Sequence, residues 1–392
     1  MISIINYQLS IINSKPEISA EQVQHSLDLA VERVRRFLPR FTYDSQNHSS
    51  VNNVYPAVDN DQWTAGFWPG QIWLAYLHSG DPVLKYAGLI QSESLRTRII
   101  GKVEVDHHDM GFLYTPSCTA AWQITGDEHS REAALLAADQ MLTRFQPIGG
   151  FFQAWGEMGA ADNYRYIIDC LMNLPLLYWA TEQTGNEEYA EKAAIHAKTC
   201  LAHSFRDDGS TFHTFFMNPE TGGPVRGETC QGYADDSSWA RGQAWAVYGA
   251  AMMYRYTGAQ VWLDTFNRVT AYFMERLPDD LVPYWDLIFT EGDEPRDSSS
   301  AAIVACGLLE MATLVDESQA AKLEQTARKL VAALVKGYAA TGATDGLLLH
   351  GTYSKKSPYN TCTPEGVDEC LTWGDYFYLE ALLRLHSPDW KP

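Results

Sequence analysis

The spacing of apolar and polar positions along the chain predicts two kinds of helix. The first begins at Ser19, whose hydroxyl caps the helix while Gln22 returns the bond. Its apolar positions from Val23 to Leu38 recur with the helical period, so one face packs on a core and the other meets water. The second kind carries small and aromatic residues on all sides, which indicates burial on most sides.

The second kind of helix occurs six times. The six runs begin near Thr64, Phe112, Asp169, Ser238, Ser298 and Asp375. Four of the runs lead through a short glycine turn into a helix with a polar face. These turns contain Gly80, Gly126, Gly185 and Gly258. A hairpin unit that repeats about every 50 to 75 residues predicts a helical array.

Six inner helices ringed by six outer helices form a closed shape. The sequence therefore predicts an all-α protein, an (α/α)6 toroid of six helical hairpins, with an open superhelix as the structural alternative. We expect residues 1–15 to be a loose N-terminal extension and residues 16–392 to form one catalytic domain. The strand-like run 210–216 predicts short β insertions on one rim. Since loops on a rigid scaffold usually carry chemistry, we expect a cleft where that run meets residues 106–111, 153–156 and 351–363.

The net charge of −20, from 29 basic and 49 acidic residues, argues against nucleic acid or an anionic membrane surface as a partner. The 12 Trp, 21 Tyr and 15 Phe favour a cleft that stacks on flat or sugar-like ligands. Seven cysteines, without a C-x-x-C pair, indicate reduced thiols and a cytoplasmic protein. The N-terminus lacks a basic leading region, and no stretch has the roughly 20 apolar residues of a membrane span.

Asp169 is a carboxylate within a nearly continuous apolar run, 166–177. A carboxylate in such surroundings loses hydration, so it must find hydrogen bonds or raise its pKa and hold a proton near neutrality. The second outcome would make Asp169 a general acid. The alternative is a structural Asp satisfied by backbone amides or by Asn173.

Asp109 and His108 belong to an ionisable cluster, 106–109, immediately before an inner helix. Adjacent histidines in an extended chain point to opposite faces and no third His completes a site, so we expect no metal. Asp109 either caps the following helix or stands in the cleft as a second carboxylate opposite Asp169.

Arg241 and Trp245 lie four residues apart, on one face of an inner helix. A guanidinium beside an indole suits a carboxylate-bearing ring, whereas the structural alternative pairs Arg241 with Asp235 or Asp236. Trp63 and Trp155 stand beside glycines that allow a ligand to approach closely, or they belong to the core.

The chain has no nucleotide-binding loop and no serine-hydrolase or nucleophilic-cysteine motif. Assembled in order, its motifs strongly resemble the unsaturated glucuronyl hydrolases of glycoside hydrolase family 88. The matching motifs are NDQWTAGFW (60–68), DHHDMGFLY (106–114), QAWG (153–156), IIDCLMNLPLLYWA (167–180), FHTF (212–215), SSWARGQAWAVYG (237–249), RDSSSAAIVACGLLE (296–310) and WGDYFYLEALLRL (373–385).

The resemblance implies a toroidal glycosidase that needs no cofactor. Its substrate would be an anionic di- or oligosaccharide, generated by a polysaccharide lyase, with a 4,5-unsaturated glucuronic acid at the non-reducing end. An Asp protonates C4 of the vinyl ether, water adds at C5, and the hemiketal collapses to release the next sugar. By motif, Asp169 is the acid/base and Asp109 the second essential carboxylate.

The resemblance also implies a set of substrate-binding residues. By motif these are Trp63, His108, Trp155, His213, Gln231, Arg241 and Trp245. The sequence departs from the family at Cys230, where members often carry His.

The loop from Ser354 to Ser357 gives a hypothesis about sulfated substrates. Ser354, Lys355, Lys356 and Ser357 offer cations and hydroxyls to a sulfate on the neighbouring amino sugar, or they form a solvated surface loop. Three other functions are compatible with this sequence. They are an unsaturated rhamnogalacturonyl hydrolase on pectin fragments, a sugar 2-epimerase with His108 and His213 as acid and base, and a non-catalytic carbohydrate-binding toroid.

Overall fold

The structure, a computed structural model, describes residues 15–387; the predicted N-terminal extension lies almost entirely outside this range. It consists of paired helices arranged as an inner and an outer ring. The inner helices are α2 (Phe67–Ser79), α4 and α5 (Met110–Tyr114 and Ala120–Thr125, joined by a π-helical turn), α7 (Pro175–Thr184), α9 (Ala240–Thr257), α11 (Ser298–Ala312) and α13 (Thr372–His386). The outer helices are α1 (Ala20–Phe41), α3 (Pro82–Gly101), α6 (Glu128–Leu142), α8 (Glu188–His203), α10 (Gln260–Glu275) and α12 (Glu317–Gly337).

The ring closes where the last inner helix, α13, packs against α1 and α2. The prediction of an (α/α)6 toroid is therefore confirmed, and the open superhelix is excluded. The capping box of α1 is also present, since the Ser19 hydroxyl accepts from the Gln22 N–H and the Gln22 side chain accepts from the Ser19 N–H. No helix within residues 15–387 combines the length and hydropathy needed to cross a bilayer.

The inner helices differ from the outer ones as the sequence pattern predicts. Most side chains of α9, α11 and α13 are buried, because these helices contact the outer ring on one side and one another on the other. A buried ionic network joins them: Arg384 of α13 donates to Glu310 of α11 (3.1 Å) and to Glu380 (2.8 Å), and Tyr248 of α9 donates to Glu380 (2.6 Å). These paired charges satisfy one another in a region that excludes water.

Short antiparallel strands interrupt the helices, as predicted for one rim. They are β1 (Ser45–Gln46), β2 (Ala57–Val58), β3 (Phe145–Gln146), β4 (Phe151–Phe152), β5 (Arg165–Ile167), β6 (Thr214–Met217), β7 (Pro224–Glu228), β8 (Gly351–Ser354) and β9 (Glu365–Glu369). They pair as β1–β2, β3–β4, β5–β6–β7 and β8–β9. The register of the three-stranded sheet sets Ile167 opposite Thr214, which brings the chain around Asp169 beside His213.

One element differs from its prediction. The buried run around Asp169 was expected to be an inner helix from that residue onward, but Ile168–Met172 form a 3₁₀ turn and α7 begins only at Pro175. Proline has no N–H to donate to a preceding turn and its fixed φ suits the first helical position, so a helix begins readily at Pro175.

Gly111 allows the second inner helix to lie directly against this 3₁₀ turn. A Cβ at Gly111 would stand 2.4 Å from the Cα of Asn173, which is far closer than real atoms approach. The backbones that carry Asp109 and Asp169 are therefore held together by a contact that only glycine permits.

We predict that Gly111→Ala lowers the free energy of unfolding by about 3 kcal/mol, because the added methyl must push two packed backbones apart. Gly126→Ala is the matched control: Gly126 has φ +72° in a turn and open space around it, so the same methyl costs only about 1 kcal/mol of backbone strain. Urea denaturation of both variants gives the comparison. Equal losses of stability would contradict the close contact at Gly111.

Candidate active site

A cavity of about 610 Å³ opens on the rim that carries the strands and the N-terminal ends of the inner helices. Residues from each rim segment highlighted in the sequence reach it. Its lining consists of Asp61, Trp63, Glu104, His107, His108, Asp109, Trp155, Ile167, Asp169, His213, Cys230, Gln231, Tyr353, Ser354, Thr361, Cys362, Thr363 and Glu365. Aromatic rings and ionisable groups thus share one pocket of the size that binds a small ligand.

Asp169 lines this cavity from the 3₁₀ turn, between the buried residues Ile168 and Cys170. Its Oδ1 is buried and has no hydrogen-bond partner within residues 15–387. Burial first, and then the nearby charge of Asp109, raise the pKa of Asp169 to about 7, although the Arg241 guanidinium acts in the opposite direction. Asp169 is therefore a carboxyl group that keeps its proton near neutral pH.

Asp109 faces the same cavity, but its pKa is shifted in the opposite direction. Burial opposes its ionised form, yet His108 and His107 with Asn173 outweigh that effect and lower the pKa of Asp109. His108 Nε2 lies 3.4 Å from its Oδ1, and His107 Nδ1 lies 3.3 Å from its Oδ2. One carboxyl is kept protonated beside one kept ionised, which is the arrangement that divides acid and base roles between two like groups.

Asn173 connects the two carboxylate segments. Its Nδ2 lies 3.3 Å from the carbonyl oxygen of Asp169 and 3.5 Å from Asp109 Oδ1, while its Oδ1 accepts from the Phe112 N–H at 2.7 Å. Asn173 therefore contacts the backbone of Asp169 and not its carboxylate, unlike the structural alternative expected from the sequence. The expected helix cap by Asp109 is also not seen, because its side chain accepts from no N–H of α4.

His213 has its tautomer fixed by the backbone. Its Nδ1 accepts from the N–H groups of Cys230 (3.0 Å) and Gln231 (3.2 Å), so the neutral ring carries its proton on Nε2. Burial, together with the positive charge of Arg241 and other neighbours, lowers the pKa of His213 to about 3. The cavity therefore contains a neutral imidazole whose Nε2–H can donate to a ligand and which does not titrate near neutrality.

Trp63, His108 and Trp155 form the aromatic side of the cavity. Trp63 stacks on Trp373 with ring centroids 5.3 Å apart, while Trp155 is 37% exposed and meets the edge of the His108 ring. The His108 N–H donates to the carbonyl of Ala154, which joins the loop of His108 to that of Trp155. An exposed indole at the mouth of a polar cavity suits a sugar ring.

Arg241 and Trp245 are not part of the cavity lining, and their contact with the ligand stays a prediction. Arg241 is 1% exposed and donates to Asp297 (3.2 Å) and to the carbonyls of Thr352 (2.7 Å) and Tyr353 (2.6 Å). Its structural partner is thus Asp297, not Asp235 or Asp236, because the β8 strand and Asp297 surround its guanidinium. Trp245 is fully buried, with its ring 5.0 Å from Phe112.

Within the loop from Ser354 to Ser357, only Ser354 lines the cavity, and the contact of this loop with a sulfate stays a prediction. Lys355 donates to Glu294 at 2.8 Å, and Lys356 donates to the carbonyl of Asn360 at 2.6 Å. The Ser357 hydroxyl donates to the carbonyl of Tyr233 at 2.6 Å. The Ser354 hydroxyl donates to the carbonyl of Thr363 at 2.8 Å, so all four side chains bind other parts of the protein and hold the loop in its fold.

Several lining residues were not identified from the sequence as ligand contacts. Tyr353 accepts from the Trp63 indole N–H (3.2 Å) and supplies a carbonyl to both Arg241 and Gln231. His107 was read only as part of an ionisable cluster. The sequence signal for Tyr353 was weak, because its role depends on β8 lying beside Arg241. Within residues 15–387, no group of three or more His, Cys, Asp and Glu side chains is arranged to hold a metal ion.

We predict that Asp169→Asn becomes more stable relative to the wild type as pH rises from about 4 to 7. The pKa of Asp169 is raised in the fold, so the folded state binds the proton more tightly than the unfolded chain and loses stability as that proton leaves. The neutral Asn avoids this loss. The difference in free energy of unfolding between the variant and the wild type therefore widens by at most about 1.4 kcal/mol per pH unit. Urea denaturation at several pH values measures it, with the exposed Asp162→Asn as control. A gap that does not change with pH would contradict the raised pKa.

Comparisons with known proteins agree with this geometry. The model of Glycosyl Hydrolase Family 88 matches residues 35–374. An unsaturated chondroitin disaccharide hydrolase of Streptococcus pyogenes serotype M1 is 47% identical over 380 residues, covering 96% of this chain and 94% of that protein. An unsaturated glucuronyl hydrolase from Streptococcus agalactiae has a crystal structure with a TM-score of 0.93 and 42% identity, covering 97% of this chain and 96% of its own.

A mutant of the Streptococcus agalactiae enzyme has been solved in complex with dGlcA-GalNAc6S. It superimposes with a TM-score of 0.85 at 38% identity, covering 97% of this chain and 96% of that one. A family model that spans most of the chain, relatives aligned along nearly its whole length and a toroid with two carboxylates in one cavity lead to one conclusion: this chain belongs to glycoside hydrolase family 88.

Proposed function

We propose that this enzyme releases the non-reducing-end 4,5-unsaturated glucuronic acid from glycosaminoglycan oligosaccharides that a lyase has generated. The observation that carries the proposal is the pair of carboxyl groups, Asp169 with a pKa of about 7 beside Asp109 with a lowered pKa. Protonating a vinyl-ether carbon requires a carboxyl group that still holds its proton at working pH. The names of the similar proteins point to the same substrate class.

The reaction is a hydration of the C4–C5 double bond. Asp169 delivers its proton to C4, and the electron pair of the double bond forms the new C–H bond. Positive charge then develops at C5 and the ring oxygen, close to the ionised Asp109. Water adds to C5, its proton passes to the Asp169 carboxylate, and the resulting hemiketal opens to release the next sugar.

We assign the remaining cavity residues to substrate binding. His213 donates through Nε2–H, Gln231 offers its amide oxygen, and Trp63, His108 and Trp155 enclose the unsaturated ring. Gln231 is oriented by its own bond to the Tyr353 carbonyl at 3.0 Å. Arg241 and Trp245 support these residues from positions outside the cavity lining. The Arg241 guanidinium holds β8 and partly opposes the rise in the pKa of Asp169, and the Trp245 indole packs beneath the cavity.

The partner is an anionic unsaturated saccharide, with chondroitin-type disaccharides as the proposed preference. The complex of the Streptococcus agalactiae mutant with dGlcA-GalNAc6S supports a sulfated amino sugar in the neighbouring position. Within the 354–357 loop, Ser354 is the residue that reaches the cavity. We also propose that the enzyme works in the cytoplasm, because its seven cysteines are free thiols.

We predict that the enzyme removes the ultraviolet absorbance of unsaturated chondroitin and hyaluronan disaccharides, and that Asp169→Asn slows this by a hundredfold or more, about the contribution of one general acid. Asp162→Asn removes an exposed carboxylate from the preceding loop and serves as the control. Substrate binding by Asp169→Asn should persist in calorimetry. Turnover only of rhamnose-linked pectin fragments would indicate the rhamnogalacturonyl enzyme, and binding without any turnover would indicate a carbohydrate-binding toroid.

We predict that kcat falls above about pH 7, because Asp169 must carry its proton and its pKa lies near that value. The loss should approach tenfold per pH unit once Asp169 is mostly ionised. His213 contributes no titration in this range, because its pKa is about 3. A pH series of initial rates at saturating substrate measures the profile. A constant kcat up to pH 9 would contradict the assignment of Asp169 as the acid.

A further inference from the structure

A second cleft, of about 600 Å³, lies outside the active site and shares no lining residue with it. It is formed by the start of the described chain, the loop before Leu281 and the C-terminal half of α12. Its lining consists of Lys15, Pro16, Asp279, Asp280, Leu281, Arg296, Lys329, Ala332, Ala333, Lys336, Gly337, Tyr338 and His350. We call it the cationic cleft.

The charges of the cationic cleft do not cancel. Four cations line it, and they are Lys15, Arg296, Lys329 and Lys336. Of its two carboxylates, Asp280 already accepts from Arg296 (3.0 Å) and Tyr338 (2.7 Å), and Asp279 is fully exposed with Lys15 at 3.9 Å. An excess of positive charge is unusual in a chain with a net charge of −20, and it attracts anions locally.

Lys329 is the most informative residue of the cleft. Its side chain lies on α12 and is 3% exposed, yet it has no hydrogen-bond or ion-pair partner within the described residues 15–387. The Lys329 ammonium group is not among the buried polar atoms that lack a partner, so it reaches the open space of the cleft and is hydrated there. An anion bound in the cleft would supply the missing partner.

We infer that the cationic cleft binds a small dianionic oxyanion, a sulfate or phosphate group, with Lys329 as its buried donor and Arg296 and Lys336 as outer cations. Two negative charges match the excess of two positive charges, and the volume leaves room for a sugar that carries the group. The same chemistry is present in the free ion and in a sulfated saccharide. This inference does not depend on the proposed function.

The cleft adjoins the strand that reaches the active site. The Thr352 hydroxyl of β8 donates to the carbonyl of Arg296 at 2.8 Å, and His350 lines the cleft directly before β8. The other end of β8 carries Tyr353 and Ser354, which line the active-site cavity. A bound oxyanion would therefore lie beside the residue that precedes β8, the strand whose other end lines the active-site cavity.

The test is isothermal titration calorimetry of the full chain with four probes at an ionic strength held constant with sodium chloride. The probes are sodium sulfate, sodium phosphate, sodium glucuronate and N-acetylgalactosamine 6-sulfate. We expect saturable binding of sulfate or phosphate, weakened about tenfold or more in Lys329→Gln. Lys322→Gln removes an exposed lysine two turns away on the same helix, outside the cleft lining, and should bind like the wild type.

The four probes distinguish the sources of the oxyanion. Equal affinity for sulfate and the sugar sulfate indicates a site for the free ion, and tighter binding of the sugar sulfate that Lys329→Gln weakens indicates a saccharide site. Lack of saturable binding by any probe, or binding that Lys329→Gln leaves unchanged, would overturn the inference. Thermal unfolding of each variant checks that it is folded at the temperature of the titration.

Discussion

The contact between the segments of Asp109 and Asp169 is the constraint on which the active site depends. Two carboxyl groups that share a buried site repel each other when both are ionised, so one of them must keep a proton. Here the 3₁₀ turn places Asp169 among apolar residues, while two histidines and Asn173 stabilise the charge on Asp109. The difference in protonation thus arises from different surroundings of two identical groups.

The toroid provides the rigidity that this arrangement needs. Each carboxylate segment belongs to a different hairpin, and the absence of a side chain at Gly111 lets the two backbones touch. On the far side, the buried network of Arg384, Glu310, Glu380 and Tyr248 ties three further inner helices together. The β5–β6 pairing then brings His213 to the same site, so residues far apart in sequence meet in one cavity.

Much of the fold could be predicted from the sequence, because the six buried helices and their glycine turns are local patterns. Asp169 was recognised for the same reason, since its apolar neighbours are adjacent in the chain. The position of Arg241 was not predictable in this way. Its donors are taken by the carbonyls of Thr352 and Tyr353, more than a hundred residues away, and nothing in the helix pattern reveals that contact. The partner of Lys355 was hidden for a similar reason, because Glu294 lies 61 residues earlier in the chain, whereas Lys356 donates to the carbonyl of Asn360 only four residues on.

The most direct test of the central claim is a titration of the Asp169 carboxyl carbon by ¹³C NMR, in the wild type and in Asp109→Asn. We expect a pKa near 7 in the wild type and a lower value in Asp109→Asn, because the variant removes the like charge that raises it. Titration of Asp169 near pH 4 in the wild type, or a pKa that Asp109→Asn leaves unchanged, would contradict the coupling of the two carboxyl groups.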